Sequence, residues 1–334
     1  MRCEMRTELV FRALADSTRL RILRLLATME LAVGELAQVL EQSQPRVSRH
    51  VAILCDAGLA ERRREGSWTF LRGRHTGPEA DILAAALARA AATAERVDAD
   101  FAAVCEGDRD RLSAIRSARE SEAAAYFQNH ATKWDELRRL HSPDRMVEKA
   151  LIEALAGHPI GRLLDIGTGT GRMAELFAPM ADHIVALDKS LEMLRLARAK
   201  LQHLPTDRVE LVQGDFLSLP QKTGSFDTVL LHQVLHFAQE PRRVIAEAGR
   251  VTRPGGHIAV VDFAAHTREE LRERHSHARL GFEDQAMEAL MAEANIVPET
   301  PIALTGGALI VKIWVGKRST DSVAAIRSAE RREA

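Results

Sequence analysis

Apolar positions fall into two regimes along the chain. Up to about residue 77 they form short helical stripes separated by turns, and from about 140 onward compact strand-like runs alternate with helical stretches. In the first regime Leu20, Ile22, Leu23, Leu25 and Leu26 supply the buried side of a helix predicted over 18–27, which Asp16-Ser17 can cap. Residues 31–33 read as a short extended piece, and 34–40 as a second helix with Leu36, Val39 and Leu40 apolar. A third helix follows, with Ser43 as N-cap, Pro45 in the first turn and Gly58 as the stop. At 100° per residue Val47, Val51 and Leu54 share one face, and Pro45, Arg49, Ala52 and Asp56 lie opposite. Residues 59–64 and 68–72 are strand-like around a turn at 65–67, which predicts a two-stranded wing.

Residues 78–104, rich in Ala, Leu and charge, predict a long helix striped by Ile82, Leu83, Ala86, Leu87 and Ala90. Gly107-Asp108 is expected to break it, with a second charged helical stretch over 109–122. In the second regime strands are expected at 162–166, 183–188, 210–215, 226–231 and, after a turn at 253–256, at 257–262. Their alternation with helices predicts an α/β domain with a parallel-rich, Rossmann-like sheet. The expected organisation is a winged helix-turn-helix domain over 1–77, a helical connector over 78–122, the α/β domain over 123–317 and a charged tail over 318–334, disordered or helical.

Composition narrows the setting. Of 334 residues, 46% are apolar and 28% charged, which is ordinary for a globular protein. No uncharged apolar run approaches the roughly 18 residues of a membrane span, and the N-terminal charges have no apolar stretch behind them, so neither a span nor a secretory signal is expected. Cys3, Cys55 and Cys105 are far apart and never in a Cys-x-x-Cys, which suits a reducing cytoplasm. The net charge of −1 conceals an imbalance: residues 1–77 carry 13 arginines, no lysine and 9 acidic residues, hence +4 there and −5 over the remainder. That suits a nucleic-acid contact at one end.

The third helix has side chains for such a contact. Ser43, Gln44, Arg46, Ser48 and Arg49 lie at its open end or on or beside its outer face; Arg suits guanine, Gln suits adenine, and Ser suits base edge or phosphate. Arg62, Arg63, Arg64 and Arg72 on the wing offer phosphate contacts. The segments LADSTRLRILRLL, ELAVGELAQVL, SQPRVSRHVAILCDAGL and RRREGSWTFLR closely resemble ArsR-type winged helix-turn-helix repressors, over about residues 8–75. The resemblance implies a homodimer on palindromic double-stranded operator DNA, read by residues 44–53, with the helix after the wing at the dimer contact. It also exposes a departure. Metal sensors of that family place thiolates in the stretch matching 30–36, or His and Asp on the helix after the wing; 30–36 holds no sulfur and 79–105 no histidine, so no metal site is assigned. Cys55 reads as a small core residue.

In the second regime the glycine turn Gly167-Thr168-Gly169-Thr170-Gly171 lets backbone approach a ligand. Asp188, at a strand end 17 residues after Gly171, can accept both hydroxyls of a ribose, and Asp215 is placed for an adenine amino group. A dinucleotide oxidoreductase would share the bare glycine pattern. The Asp165 that precedes the turn, the Gly-Asp that ends the third strand and the Pro-Gly-Gly before the fifth together resemble class I S-adenosylmethionine-dependent methyltransferases, over about 126–316.

That resemblance implies S-adenosylmethionine or S-adenosylhomocysteine as ligand. Asp165, Gly167, Gly169 and Gly171 would border its methionine part and sugar, Asp188 the ribose, Asp215 and Phe216 the adenine, and His232 the sulfonium. Gly171 has helix–strand packing, and Phe216 plain core, as alternative roles. Tyr126 and Trp134 sit where a lid helix folds over the cofactor in related enzymes, with packing as the alternative. For catalysis, His232, His236, Asp262 and His266 lie at or just past strand ends, and His232 and His236 are the candidate acid–base groups. No Asn-Pro-Pro-Tyr-like motif for amino-group methylation occurs, and 106–334 contains no cysteine. His275-x-His277 has the spacing of a metal pair, but on a charged helix it is expected to be solvated. Two functions lead, a repressor that responds to an adenosyl ligand or an active methyltransferase with a fused DNA-binding domain; a third, a metal-responsive repressor, is disfavoured by the missing ligands.

Overall fold

The computed structural model describes residues 6–65, 68–73, 86, 90, 92–130, 144–205 and 208–320. The chain divides into two compact units, Met1–Glu122 and Ala123–Ala334.

The first unit contains α1 (Arg6–Leu14), α2 (Ser17–Leu26), β1 (Leu31–Ala32), α3 (Val33–Leu40), α4 (Gln44–Asp56), β2 (Ala60–Glu65) and β3 (Trp68–Gly73). Asp16 caps α2 by accepting the Arg19 N–H at 3.0 Å. Glu35 holds the entry to α3 by accepting the Ala32 N–H at 2.8 Å. Ser43 is the N-cap residue of α4 by backbone geometry, but its side chain makes no capping bond. At the other end Gly58 adopts φ +71°, and the bonds Gly58 N–H to Cys55 C=O and Leu59 N–H to Leu54 C=O form a Schellman stop. Val47, Val51 and Leu54 pack with Ile22, Leu36 and Leu71 in one apolar core, with Cys55 beside it. The strands β2 and β3 pair as an antiparallel wing, and β1 adds to β3.

The connector differs from the expectation: the break falls at Asp98, inside the stretch expected to be one helix, and the helix that follows passes residue 122. A single helix, α5 (Ala99–His130), runs straight through Gly107-Asp108. Its start lies at Asp98, which accepts the Phe101 N–H at 2.9 Å. A mid-helix glycine costs about 1 kcal/mol relative to alanine. Tertiary anchoring outweighs that here: buried Asp108 receives two Arg21 bonds of 2.6 Å and one from Arg111 at 3.0 Å, and Leu112 joins the core of this unit. Most of the stripe at 82–90 lies outside the described residues.

The second unit holds α6 (Asp144–Leu155), β4 (Arg162–Ile166), α7 (Arg172–Phe177), β5 (His183–Asp188), α8 (Leu191–Leu201), β6 (Val209–Gln213), β7 (Phe226–His232), α9 (Pro241–Val251), β8 (Thr252–Phe263), α10 (Glu270–His275), α11 (Asp284–Glu293), β9 (Ile296–Pro298), β10 (Ile302–Leu304) and β11 (Val311–Arg318). The sheet order is β10-β11-β8-β7-β4-β5-β6, with β9 also on β11. The five strands β8-β7-β4-β5-β6 are parallel, whereas β11, β10 and β9 are antiparallel additions. Successive β4 residues serve opposite faces: Leu163 packs beneath α6, α7 and α8, and Leu164 beneath α9 and α11. The chain runs outward from β4 to β5 and β6 on one side and to β7 and β8 on the other, so the switch point opens at the carboxyl end of β4.

Two smaller differences have local causes. Residues 253–256 form no turn ahead of a strand; β8 begins at Thr252, opposite Phe226, and bulges there before His257 pairs Thr228. The last strand reaches Arg318, which donates to the carbonyls of Arg250 and Thr252, so 318 belongs to the folded domain rather than the tail.

Candidate functional site

In the first unit the outer face of α4 is set by burial of the opposite face. Because Val47, Val51 and Leu54 turn inward, Gln44, Arg46 and Arg49 are exposed, as is Ser43 at the cap, and Ser48 is half-buried. Neither Arg46 nor Arg49 has an ion-pair partner among the described residues. Other arginines serve the fold: Arg21 binds Asp108, Arg24 binds Glu95 at 2.6 Å, and Arg72 of the wing is tied to Glu61. Arg62 is exposed on β2, while the side chains of Arg63 and Arg64 lie outside the described residues.

In the second unit the glycine turn joins the end of β4 to α7. Gly167 and Thr168 donate their N–H groups to the Leu187 carbonyl at 2.8 and 2.9 Å, which draws the turn toward β5. Asp188 completes the link: its Oδ2 accepts the Gly169 N–H and its Oδ1 the Ser190 N–H, each at 2.8 Å. Each oxygen keeps a further lone pair for a ligand hydroxyl. Burial pushes the Asp188 carboxyl above the usual carboxylate range, against the pull of those backbone bonds. Asp165 is buried beneath the turn, where it accepts the Thr168 hydroxyl at 2.6 Å.

The glycines differ in what they permit. At Gly167 (φ +70°) a Cβ would come within 2.3 Å of the Val234 side chain, so the loop after β7 closes directly on the turn. At Gly171 (φ +82°) a Cβ would meet Leu201 and Ala197 of α8, so close packing is its evident role. Asp215 stands just beyond β6, where its Oδ1 accepts the Leu217 N–H and its Oδ2 pairs with Lys189, both at 2.9 Å. Phe216 is half-buried against the core. The structure thus gathers Asp165, Gly167, Gly169, Gly171, Asp188, Asp215, Phe216 and His232 along one sheet edge, with His232 half-buried at the end of β7. Trp134 lies outside the described residues.

Beside that edge His236 and Asp262, both read from the sequence as strand-end residues and His236 as an acid–base candidate, form a constellation that spacing did not pair. His236 follows β7 in a short 3-10 turn and is buried; its Nδ1 lies 2.8 Å from Oδ1 of buried Asp262 on β8. The same carboxylate accepts the backbone N–H groups of His236 at 3.1 Å and Phe263 at 2.8 Å. His277 is buried rather than solvated, its ring 4.1 Å from that of His236 and nearly parallel to Phe263 at 5.9 Å. His275 hydrogen-bonds the Tyr126 hydroxyl at 2.8 Å, so Tyr126, also buried, joins this cluster. The turn after α10 accounts for the misreading: Ser276 takes φ +54° and ends the helix, which turns His277 inward.

A second group, His158, His257 and Glu299, brings possible ligand atoms within 4.8 Å of one another. Its imidazoles stack face to face at 3.7 Å, 20° from parallel, so their in-plane lone pairs run side by side rather than converging on an ion. Burial and its cationic neighbours push His257 down to about 4. Among the described residues no helix is long and apolar enough to cross a membrane.

Comparison with known proteins agrees with this division. Residues 164–260 match the family model of a methyltransferase domain, and residues 16–62 that of bacterial regulatory proteins of the arsR family. The demethylmenaquinone methyltransferase of Renibacterium salmoninarum is 31% identical over 198 residues, which cover 59% of this chain and 78% of that protein. The enzyme of the same name from a Parafrankia species is 32% identical over 213 residues, 59% of this chain and 81% of that one. A chain from the solved complex of the Haloferax volcanii Trm112 methyltransferase activator shares the fold, with a TM-score of 0.51 and 19% identity over 60% of this chain and 99% of that one.

Proposed function

The chain belongs to the methyltransferase family and carries an arsR-family helix-turn-helix module before that domain, and on this premise we propose that it is a DNA-binding transcriptional repressor whose methyltransferase domain takes S-adenosylmethionine or S-adenosylhomocysteine as effector. The observation that carries this reading is the coexistence in one chain of an outward-facing reading helix and a braced carboxylate at the adenosyl edge. In this reading a homodimer in the cytoplasm sets α4 of each protomer in a major groove, with Gln44, Arg46, Ser48 and Arg49 at the bases and the wing arginines on phosphates. Asp188 receives the ribose hydroxyls, with the glycine turn beneath the methionine moiety. The ligand acts on DNA affinity by binding two states of the dimer unequally. The absence of sulfur from 30–36 argues for an organic effector rather than a soft metal.

Nuclease protection of the DNA upstream of its coding region tests this. The reading expects a protected inverted repeat whose occupancy changes with added S-adenosylhomocysteine. Protection that neither adenosyl ligand alters, or no protection at all, overturns it.

A second reading, an active methyltransferase, is favoured by the His236–Asp262 pair, which a ligand sensor does not need.

A further inference from the structure

A buried His–Asp pair is an expensive way to fill a core. Apolar residues of similar volume pack as stably, so such a pair stands out when it lies where ligands bind. His236 and Asp262 lie at the carboxyl ends of adjacent parallel strands, one strand from the glycine turn of β4. Three donors hold the Asp262 carboxylate. With Nδ1 committed to Asp262, Nε2 of His236 has no hydrogen-bond partner among the described residues. The surroundings are aromatic: Phe237 lies 4.1 Å and Phe263 5.1 Å from the His236 ring, and Phe127 lies 4.8 Å from Phe237.

We propose that this cluster is the acceptor side of a methyl-transfer site, that Nε2 of His236 is its general base, and that its acceptor is a hydroxyl on a planar aromatic ring. The inference rests on the adenosyl-ligand reading above. The hydroxyl proton passes to Nε2 as an oxygen lone pair forms the O–CH3 bond. The C–S bond breaks with its electrons going to sulfur, so the sulfonium becomes the neutral thioether of S-adenosylhomocysteine. The imidazolium is stabilised by Asp262, a positioning residue that also fixes the tautomer. The flat, polarizable walls favour a ring over an aliphatic alcohol. Among the described residues the charged or titratable groups around His236 are Asp262 from β8, His277 after α10, with His275 and Tyr126 beyond it, and Arg279, whose backbone N–H donates to the His236 carbonyl at 3.0 Å.

The test uses the full chain, labelled S-adenosylmethionine, 1-naphthol and catechol as probe acceptors, and cyclohexanol as the aliphatic control. Calorimetric titration of S-adenosylmethionine comes first. If wild type does not bind it, the reading beneath this inference falls, not merely the acceptor assignment. If it binds, wild type is expected to methylate an aromatic probe and not cyclohexanol. His236→Asn keeps a donor toward Asp262 and removes Nε2; it is expected to retain cofactor affinity and lose about 100-fold or more in kcat at pH 7. That deficit should shrink above about pH 9, where a phenol ionises unaided. Asp262→Asn should show the same pH signature to a lesser degree. Should His236→Asn not fold, the wild-type pH–rate profile decides: one protonation must abolish turnover on the acid side. Cofactor binding without methylation of either aromatic probe, a variant as fast as wild type, a deficit unchanged by pH, or equal turnover of cyclohexanol overturns the proposal.

Discussion

The unit ending at Glu122 offers its partner-facing groups outside the fold, whereas the unit beginning at Ala123 braces them within it. Arg46 and Arg49 are exposed on α4 because three apolar residues on the opposite face are buried. Asp188 is gripped by two backbone amides, and Asp262 by three donors. Under the proposed function the difference follows the partner. A duplex brings its own rigid array of acceptors, so mobile cations suffice and reading is done by long side chains. A small ligand must be oriented to fractions of an ångström, which only anchored groups achieve.

The contrast can be broken most forcefully where the first unit does use a braced charge. Asp108→Ala leaves the half-buried Arg21 without its carboxylate partner and should cost that unit about 3 kcal/mol, the low end for breaking a buried pair. Scanning calorimetry should show its transition fall while that of the second unit holds; an equal fall in both would show that the units unfold together.

The second unit has its own sensitive charge. His257 is held down to about 4, below the 6.5 it takes when unfolded, by burial and by His158, Lys317 and Arg253, with Glu299 also nearby. Because the unfolded chain binds the proton more readily, the stability is complete above about pH 6.5 and is lost as pH falls toward about 4. The loss should reach up to about 3 kcal/mol, and urea titrations across that range measure it. His257→Gln should remove most of this slope; an unchanged slope would assign the acid sensitivity elsewhere.

Asp188→Ala sharpens the comparison from the ligand side. Losing a charged acceptor that orders the glycine turn should cost about 3 kcal/mol of adenosyl affinity, on the order of 100-fold, with apo DNA binding intact. Intact affinity by calorimetry would end the ribose assignment. Arg49→Ala has the smallest expected effect, about 1–2 kcal/mol of specific operator affinity in fluorescence anisotropy, with ligand binding untouched. An operator affinity equal to wild type would remove Arg49 from the reading face.

How far the sequence disclosed these features depended on distance along the chain. The reading helix is local: Ser43, Pro45 and Gly58 bound it, and a 100° period sorts its faces, so both were legible. The glycine turn and Asp188 lie within one strand–helix–strand unit and were legible too. The helix through Gly107-Asp108 was not, because Asp108 is anchored by Arg21, 87 positions away. Nor was the His236 cluster, since it joins the loop after β7, the end of β8, the turn at Ser276 and α5. Pattern reading placed Asp262 and His236 at strand ends, and only the parallel register of β7 and β8 makes them partners.

The central claim is that the two units are thermodynamically coupled. The most direct measurement is calorimetric titration of S-adenosylhomocysteine into the protein, alone and saturated with operator duplex. Coupling is reciprocal, so if the ligand alters operator affinity, the duplex must alter ligand affinity by the same factor, on the order of 5-fold or more. Ligand affinity identical with and without operator would contradict the account and leave two functions that merely share a chain.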